Sequence, residues 1–321
     1  MSAFEPPVPD LQIAFYGRLQ ELRDKYLLDA LQKIVAMCDI GIIDRELRGL
    51  VSKGALRKLA SWSLRGEILF PVPHILSKSP NLLGYYRLLL GFSQKQFYGS
   101  RYGFAPFRSM ETEGRLSESN AKNMTGLCGA LCRSAELLIT GVGSLSTESV
   151  HELTLITLGP QLRGGALNAF GARATLRVFN LIKSILSSAI DEASEHSIEV
   201  INAAGRRVSI DFANDPDICI REKMVSGRLR NIVAIEIKGG RDVSNIHNRI
   251  GEAEKSHQKA KEDGYVECWT IVGVSEFNVA MAKRESPTTD EFFRIDGISE
   301  PASDEYRNFR EHLKSLVGIR D

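Results

Sequence analysis

Residues 214–240, NDPDICIREKMVSGRLRNIVAIEIKGG, decide how the rest of the chain is read. Side chains two residues apart on a strand point to one face, so Glu236 and Lys238 stand together while Ile235 and Ile237 face the other way. If DICIREK pairs beside IVAIEIK, Asp217 brings a second carboxylate near Glu236. Two close carboxylates repel unless a cation lies between them, and hard oxygen donors with room for water suit magnesium. The stretch has the outline of a metal-dependent phosphodiesterase site. Glu and Lys alternating with Ile would by themselves be a weak signal, because many solvated strands show that pattern. Pro216 and Asp217 upstream, at a hairpin-compatible distance, add the second ligand and strengthen it.

Outward from this stretch the texture is that of a mixed α/β domain. Upstream, SIEVINA and RRVSIDF read as strands joined by a turn at Ala204 and Gly205. Before them, ATLRVFNLIKSILSSAIDEASEH carries Leu181, Ile185 and Ser188 on one helical stripe, with Glu192 continuing it. Downstream, residues 239–264 predict a helix with Ile246, Ile250, Ala253, His257 and Ala260 on one face, ending near Gly264. His257 on that stripe reads as a hydrogen-bonded core residue. VECWTIVGV then predicts a buried strand, the tail from Ser286 is loop-rich, and DEYRNFREHLKSLVGI supplies a closing helix.

Everything to about Leu158 predicts helices, which divides the chain into a helical region, 1–158, and an α/β region, 159–321. Two short helices flank Ser52, Lys53 and Gly54, the length pattern of a helix-turn-helix, with Arg57, Lys58 and Arg65 on or near the second. Ser79 before Pro80 predicts the start of the helix NLLGYYRLLLGFSQKQFY. The loop SRYGFAPFRSMETEGR offers Arg and aromatic residues either to a nucleic acid or to the core. Gly159, Gly164, Gly165 and Gly171 allow close backbone approach, to a phosphate or to another helix.

Composition bounds the class. The 321 residues are 43% hydrophobic and 25% charged, as in a soluble globular protein, and a net charge of +1 gives no global pull toward a polyanion. Locally the balance differs: from Asp44 to Arg108 there are eleven Lys or Arg against three acids, enough for one basic face. Five scattered cysteines give neither a disulfide framework nor paired zinc-ligand spacing, and Cys128 and Cys132, one helical turn apart, read as core. The N-terminus lacks a basic region followed by an apolar stretch, and no apolar run reaches spanning length. A reducing cytoplasm is the expected compartment, with no membrane partner.

The order helix, strands, helix, strand around Asp217, Glu236 and Lys238 resembles the core of PD-(D/E)XK nucleases, whose site is split between neighbouring strands. Within that superfamily VAIEIKGGRDVSNIHNRIGEAEKSHQKA, taken with YYRLLLGFSQKQFY and GPQLRGGALNAFG, is similar to type II restriction endonucleases of the XcyI kind over most of the chain. The resemblance implies an α/β fold, a mixed central sheet flanked by helices, carrying a large helical N-terminal part. It implies Mg2+-dependent, sequence-specific hydrolysis of double-stranded DNA, with CCCGGG as the target carried over. Asp217 and Glu236 match the metal ligands, and Lys238 the lysine that orients the attacking water or stabilises charge on the phosphate. A further acid from the preceding helix is matched by Glu192, with Asp191, Glu195 and Glu199 close by. Asp215 reads as a turn residue or a support for the ligands. Arg241, Asn245 and Arg249, just beyond the catalytic strand, are the candidate base readers. A palindromic target implies a homodimer, and host protection implies a cognate DNA methyltransferase. A repair or junction nuclease with the same site and a non-catalytic DNA-binding regulator remain as alternatives.

Overall fold

The computed structural model describes residues 9–240 and 242–320. It divides into two compact units, Met1–Ala166 and Leu167–Asp321. The expected start of the α/β region at residue 159 and the division at 166 both fall within one helix, Thr147–Ile185.

The first unit is a stack of mostly short helices. Their starts follow the side chains that satisfy free N–H groups: Asp39 accepts from the Gly41 N–H, Ser52 from Ala55, and Ser117 from Asn120. Ser93 and Gln96 form a reciprocal capping box. Ser79, by contrast, makes no capping bond, and Pro80–Leu82 winds as a 3-10 turn before the helix Leu83–Leu89. That helix is buried on every side, so the unit wraps around it. Its one charged residue, Arg87, is 0% exposed and makes a two-pronged ion pair with Glu111, also buried. The expected helix-turn-helix segments are Ile40–Leu50 and Lys53–Ser61. Lys58 of the second helix donates to the Ile139 carbonyl, and Arg65, just beyond that helix, pairs with Glu67 and Asp44, so both cations are occupied within the unit.

The second unit holds a seven-stranded sheet in sequence order: β1 (Ile190–Ala193), β2 (Ser197–Ile201), β3 (Arg207–Phe212), β4 (Ile218–Lys223), β5 (Leu229–Lys238), β6 (Glu267–Val272) and β7 (Glu291–Arg294). Neighbours from β1 to β5 run antiparallel, as short turns allow. The β5–β6 and β6–β7 pairs are parallel, and the helix Ile246–Glu262 makes the β5 to β6 crossover. Alternation sorts β5 as expected. Ile235 and Ile237 join Trp269, Ile271, Phe309 and the helix residues Val178 and Ile182 on one face, whereas Ala234 packs with Cys219, Cys268 and Ala260 of the crossover helix. At the end of β5 a Cβ on Gly239 would stand 2.3 Å from the Ala174 Cβ, so only glycine lets the strand end lie this close to the helix.

Several expectations need correction, the loop SRYGFAPFRSMETEGR among them, since its residues Arg108–Glu113 form a helix. The helix before the sheet ends at Ile185, and the residues beyond Ser187 turn into the edge strand β1, because an open sheet edge offers backbone partners that a lone helix end does not. The tail beyond Ser286 contributes β7, a four-residue strand too short to show a period. Residues 147–185 form one helix rather than separate segments, and a Cβ on Gly159, Gly164 or Gly165 would meet nothing within 4 Å, so these glycines mark no close approach. No helix among the described residues is long and apolar enough to cross a membrane.

Candidate active site

The register of β4 on β5 sets Ile218 opposite Ile235, and this brings Asp217 beside the Glu236 end of the neighbouring strand. Asp217 is fixed by the backbone it faces: the Ile237 N–H donates to its Oδ2 at 2.7 Å. Glu236 is only 8% exposed, and both of its oxygens are engaged. Lys238 Nζ lies 2.6 Å from Oε1, and Ser256 Oγ lies 3.0 Å from Oε2. Ser256 comes from the crossover helix and also donates toward Asp215 Oδ1, whose other oxygen accepts from Lys259 Nζ at 2.7 Å. Three carboxylates, two ammonium groups and one hydroxyl thus meet at the ends of β4 and β5.

Charge is unevenly matched here. Burial, and next the negative charge of Glu236, push the Asp217 carboxyl up to about 6, against the opposing pull of the Ile237 N–H and Lys238. Asp215 lies lower than usual, because Lys259 and Ser256 hydrogen-bond its charged form. Asp217 and Glu236 therefore press on each other while two lysines stand at the margin. Among the described residues no group of three or more His, Cys, Asp and Glu side chains could hold a metal ion. Two carboxylates are nonetheless what a magnesium site asks of a protein, since that ion keeps several waters and takes its remaining oxygens from phosphate. The unrelieved repulsion at Asp217 and the hard oxygen donors fit a divalent cation.

Of the residues singled out from sequence, Asp217, Glu236 and Lys238 come together and Glu192 does not. Glu192 lies on β1, exposed, opposite Glu199, and is four strand spacings from β5, with β2, β3 and β4 between. At the usual strand spacing that is roughly 19 Å. The stripe that pointed to it requires a helix that has already ended. Asn245 sits at the start of the crossover helix, exposed, accepting from Asn248. The Arg249 guanidinium packs against Gly240, where any Cβ would collide with it, and its Nη1 is buried with no hydrogen-bond partner. Arg241 lies outside the described residues. His257 is fully buried, bonded to Thr270 at 2.9 Å, and burial lowers its imidazole to about 4, so it is a neutral core residue. Ser256 and Lys259 were missed. The signal for Ser256 was present in outline: it is three residues after Ala253 and four before Ala260, a hydroxyl on the buried stripe of its helix.

Comparison with known proteins agrees with this architecture. The sequence model of the family described as XcyI restriction endonuclease matches residues 16–320. The chain is 49% identical over 317 residues to the type II restriction enzyme XcyI of Xanthomonas campestris pv. cyanopsidis, covering 98% of this chain and 95% of that protein. It is likewise 49% identical over 317 residues to the type II restriction enzyme Cfr9I of Citrobacter freundii, covering 98% and 96% respectively.

Proposed function

The chain belongs to the XcyI restriction endonuclease family and is a type II restriction endonuclease, and from that premise we propose that it hydrolyses double-stranded DNA with Mg2+ held by Asp217 and Glu236. The observation that carries this reading is the meeting of Asp217 with Glu236 and Lys238 across the β4–β5 pair. Bound there, the ion would lower the pKa of a water and polarise the scissile phosphate. The chain's own residues do the rest. The Ile237 N–H fixes Asp217 in place. Glu236 shares its charge with Lys238, whose ammonium is thereby kept at the site and supplies a donor to the attacking water or to the charge that develops on phosphate. The buried flank of isoleucines and Trp269 keeps the strand ends in register and limits bulk water on that side.

The remaining parts of the reading follow from the substrate. A palindromic duplex presents two equivalent strands, which a twofold-symmetric homodimer would engage together. CCCGGG is the target we carry over, read through Arg241, Asn245 and Arg249. The unspent Nη1 donor of Arg249 supports a role on DNA, since arginine pairs with guanine through two donors. A cognate methyltransferase would protect host DNA, and both proteins would act in the cytoplasm.

Gel shifts and plasmid digests on the same preparations test the proposal. Calcium, larger and a poorer activator of water, is expected to support specific binding without cleavage, and magnesium to switch cleavage on. Lys238→Ala is expected to bind DNA with either ion and to cut about 10²–10³-fold more slowly or not at all, because it loses a charge-stabilising donor and no ligand. Specific binding that needs no metal, with no cutting under any divalent ion, would point to a DNA-binding regulator instead.

A further inference from the structure

The crossover helix places one hydroxyl between two carboxylates. Ser256 Oγ reaches Asp215 Oδ1 by a short hydrogen bond and Glu236 Oε2 at 3.0 Å, and the side chain is buried at 5% exposure. A hydroxyl carries one proton, so it can donate to only one of these acceptors at a time. The oxygen left over then lacks that donor, which costs free energy at buried Glu236 and little at Asp215, which is open to water. Lys259 engages the far oxygen of Asp215 and Lys238 the far oxygen of Glu236, so each carboxylate has one fixed ammonium partner and a claim on the shared proton.

We propose that Ser256 is a positioning residue for Glu236: it holds the carboxylate that binds the divalent cation in its binding orientation, with Asp215 as the alternative acceptor for its proton. Glu236 is much the more buried of the two acids, so it depends more on this donor than Asp215 does. Groups that orient metal-binding carboxylates in this way are typically worth 10–100-fold in metal affinity.

The inference rests on the reading of Asp217 and Glu236 as the cation site, and its test is binding rather than cleavage. Mn2+ is titrated calorimetrically into the metal-free full-length protein without DNA, for the parent, Ser256→Ala, Ser256→Thr and Asp217→Ala. The parent is expected to bind and Asp217→Ala to lose binding; if the parent does not bind, the site reading itself fails. Given that binding, Ser256→Ala is expected to weaken it about 10–100-fold, and Ser256→Thr, which keeps the hydroxyl, to stay within about threefold of the parent. Urea unfolding in chelator separates this from a folding defect, and is expected to move little. A Ser256→Ala protein that binds Mn2+ as the parent does overturns the inference. So does a folded Ser256→Thr protein that has lost affinity, which also decides the matter should the Ala variant not fold.

Discussion

Glu111 in the first unit and Asp217 in the second are both carboxylates drawn in from water, and their surroundings treat them oppositely. Burial tends to raise the Glu111 pKa, but Arg87, Gln94 and Tyr98 donate to it and hold it below the usual range. Asp217 has one backbone donor and a second carboxylate for a neighbour, and is pushed up to about 6. A carboxylate matched by a guanidinium locks a core, since every lone pair has a partner and none is left for a ligand. One pressed against another acid is held in a state that only a proton or a cation relieves. The difference between a structural acid and a candidate catalytic one is thus visible in the donors around it more than in its depth.

The comparison predicts a crossed outcome, with chemistry lost at one cluster and stability lost at the other. The largest effect is expected at the second unit: Asp217→Ala or Glu236→Ala abolishes plasmid cleavage while the urea midpoint in chelator stays equal or rises, because each removes a carboxylate from a repelling pair. Near-normal cleavage in either variant would show that the site is elsewhere. Next comes Arg87→Ala, which leaves Glu111 buried without its counter-charge and should cost about 3–5 kcal/mol in urea unfolding. A loss below about 1 kcal/mol would mean the pair is no keystone of the first unit.

The third prediction concerns pH and the metal-free protein. Asp217 titrates near 6 when folded and near an ordinary carboxyl value of ~3.9 when unfolded. Its raised value favours the fold below about pH 4, and that contribution is lost as pH rises through about 6, where the folded form must ionise against Glu236. Parent and Asp217→Asn should therefore match in urea stability at pH 4 and diverge by pH 8, the Asn variant being more stable by on the order of 2–3 kcal/mol. Parallel curves across that range would place Asp217 in ordinary solvent. The smallest effect is Tyr98→Phe, which deletes one donor to a carboxylate that keeps Arg87 and Gln94; about 1.5 kcal/mol is expected from thermal or urea unfolding, with cleavage unchanged under folding conditions.

The two clusters were unequally legible in the sequence. Asp217, Glu236 and Lys238 lie on two adjacent strands joined by a short turn, so the pairing that unites them is nearly local. Arg87 shows only as a charge inside an apolar helix, and nothing in the spacing names Glu111, 24 residues away, as its partner. Glu192 was misplaced because a helical stripe was carried past the point where the chain turns into β1. Ser256 stood on the buried stripe of its helix, but a serine there is as often a small core residue as a partner for two acids. β7 escaped notice because four residues carry too little pattern to separate a parallel strand from a loop.

By itself the sequence determined the two-residue alternation that sets Glu236 and Lys238 on one face and Ile235 and Ile237 on the other. Covalent geometry imposes that wherever the segment is extended. It also determined which helices start where, through caps such as Asp39, Ser52 and Ser117. Only the tertiary structure decided that Ile218 faces Ile235, that the crossover helix lays Ser256 over Glu236, and that Glu192 ends four strands away. Those positions depend on the register of many backbone hydrogen bonds and on how side chains fill the space between sheet and helix, sums over residues far apart in the chain that no short stretch contains.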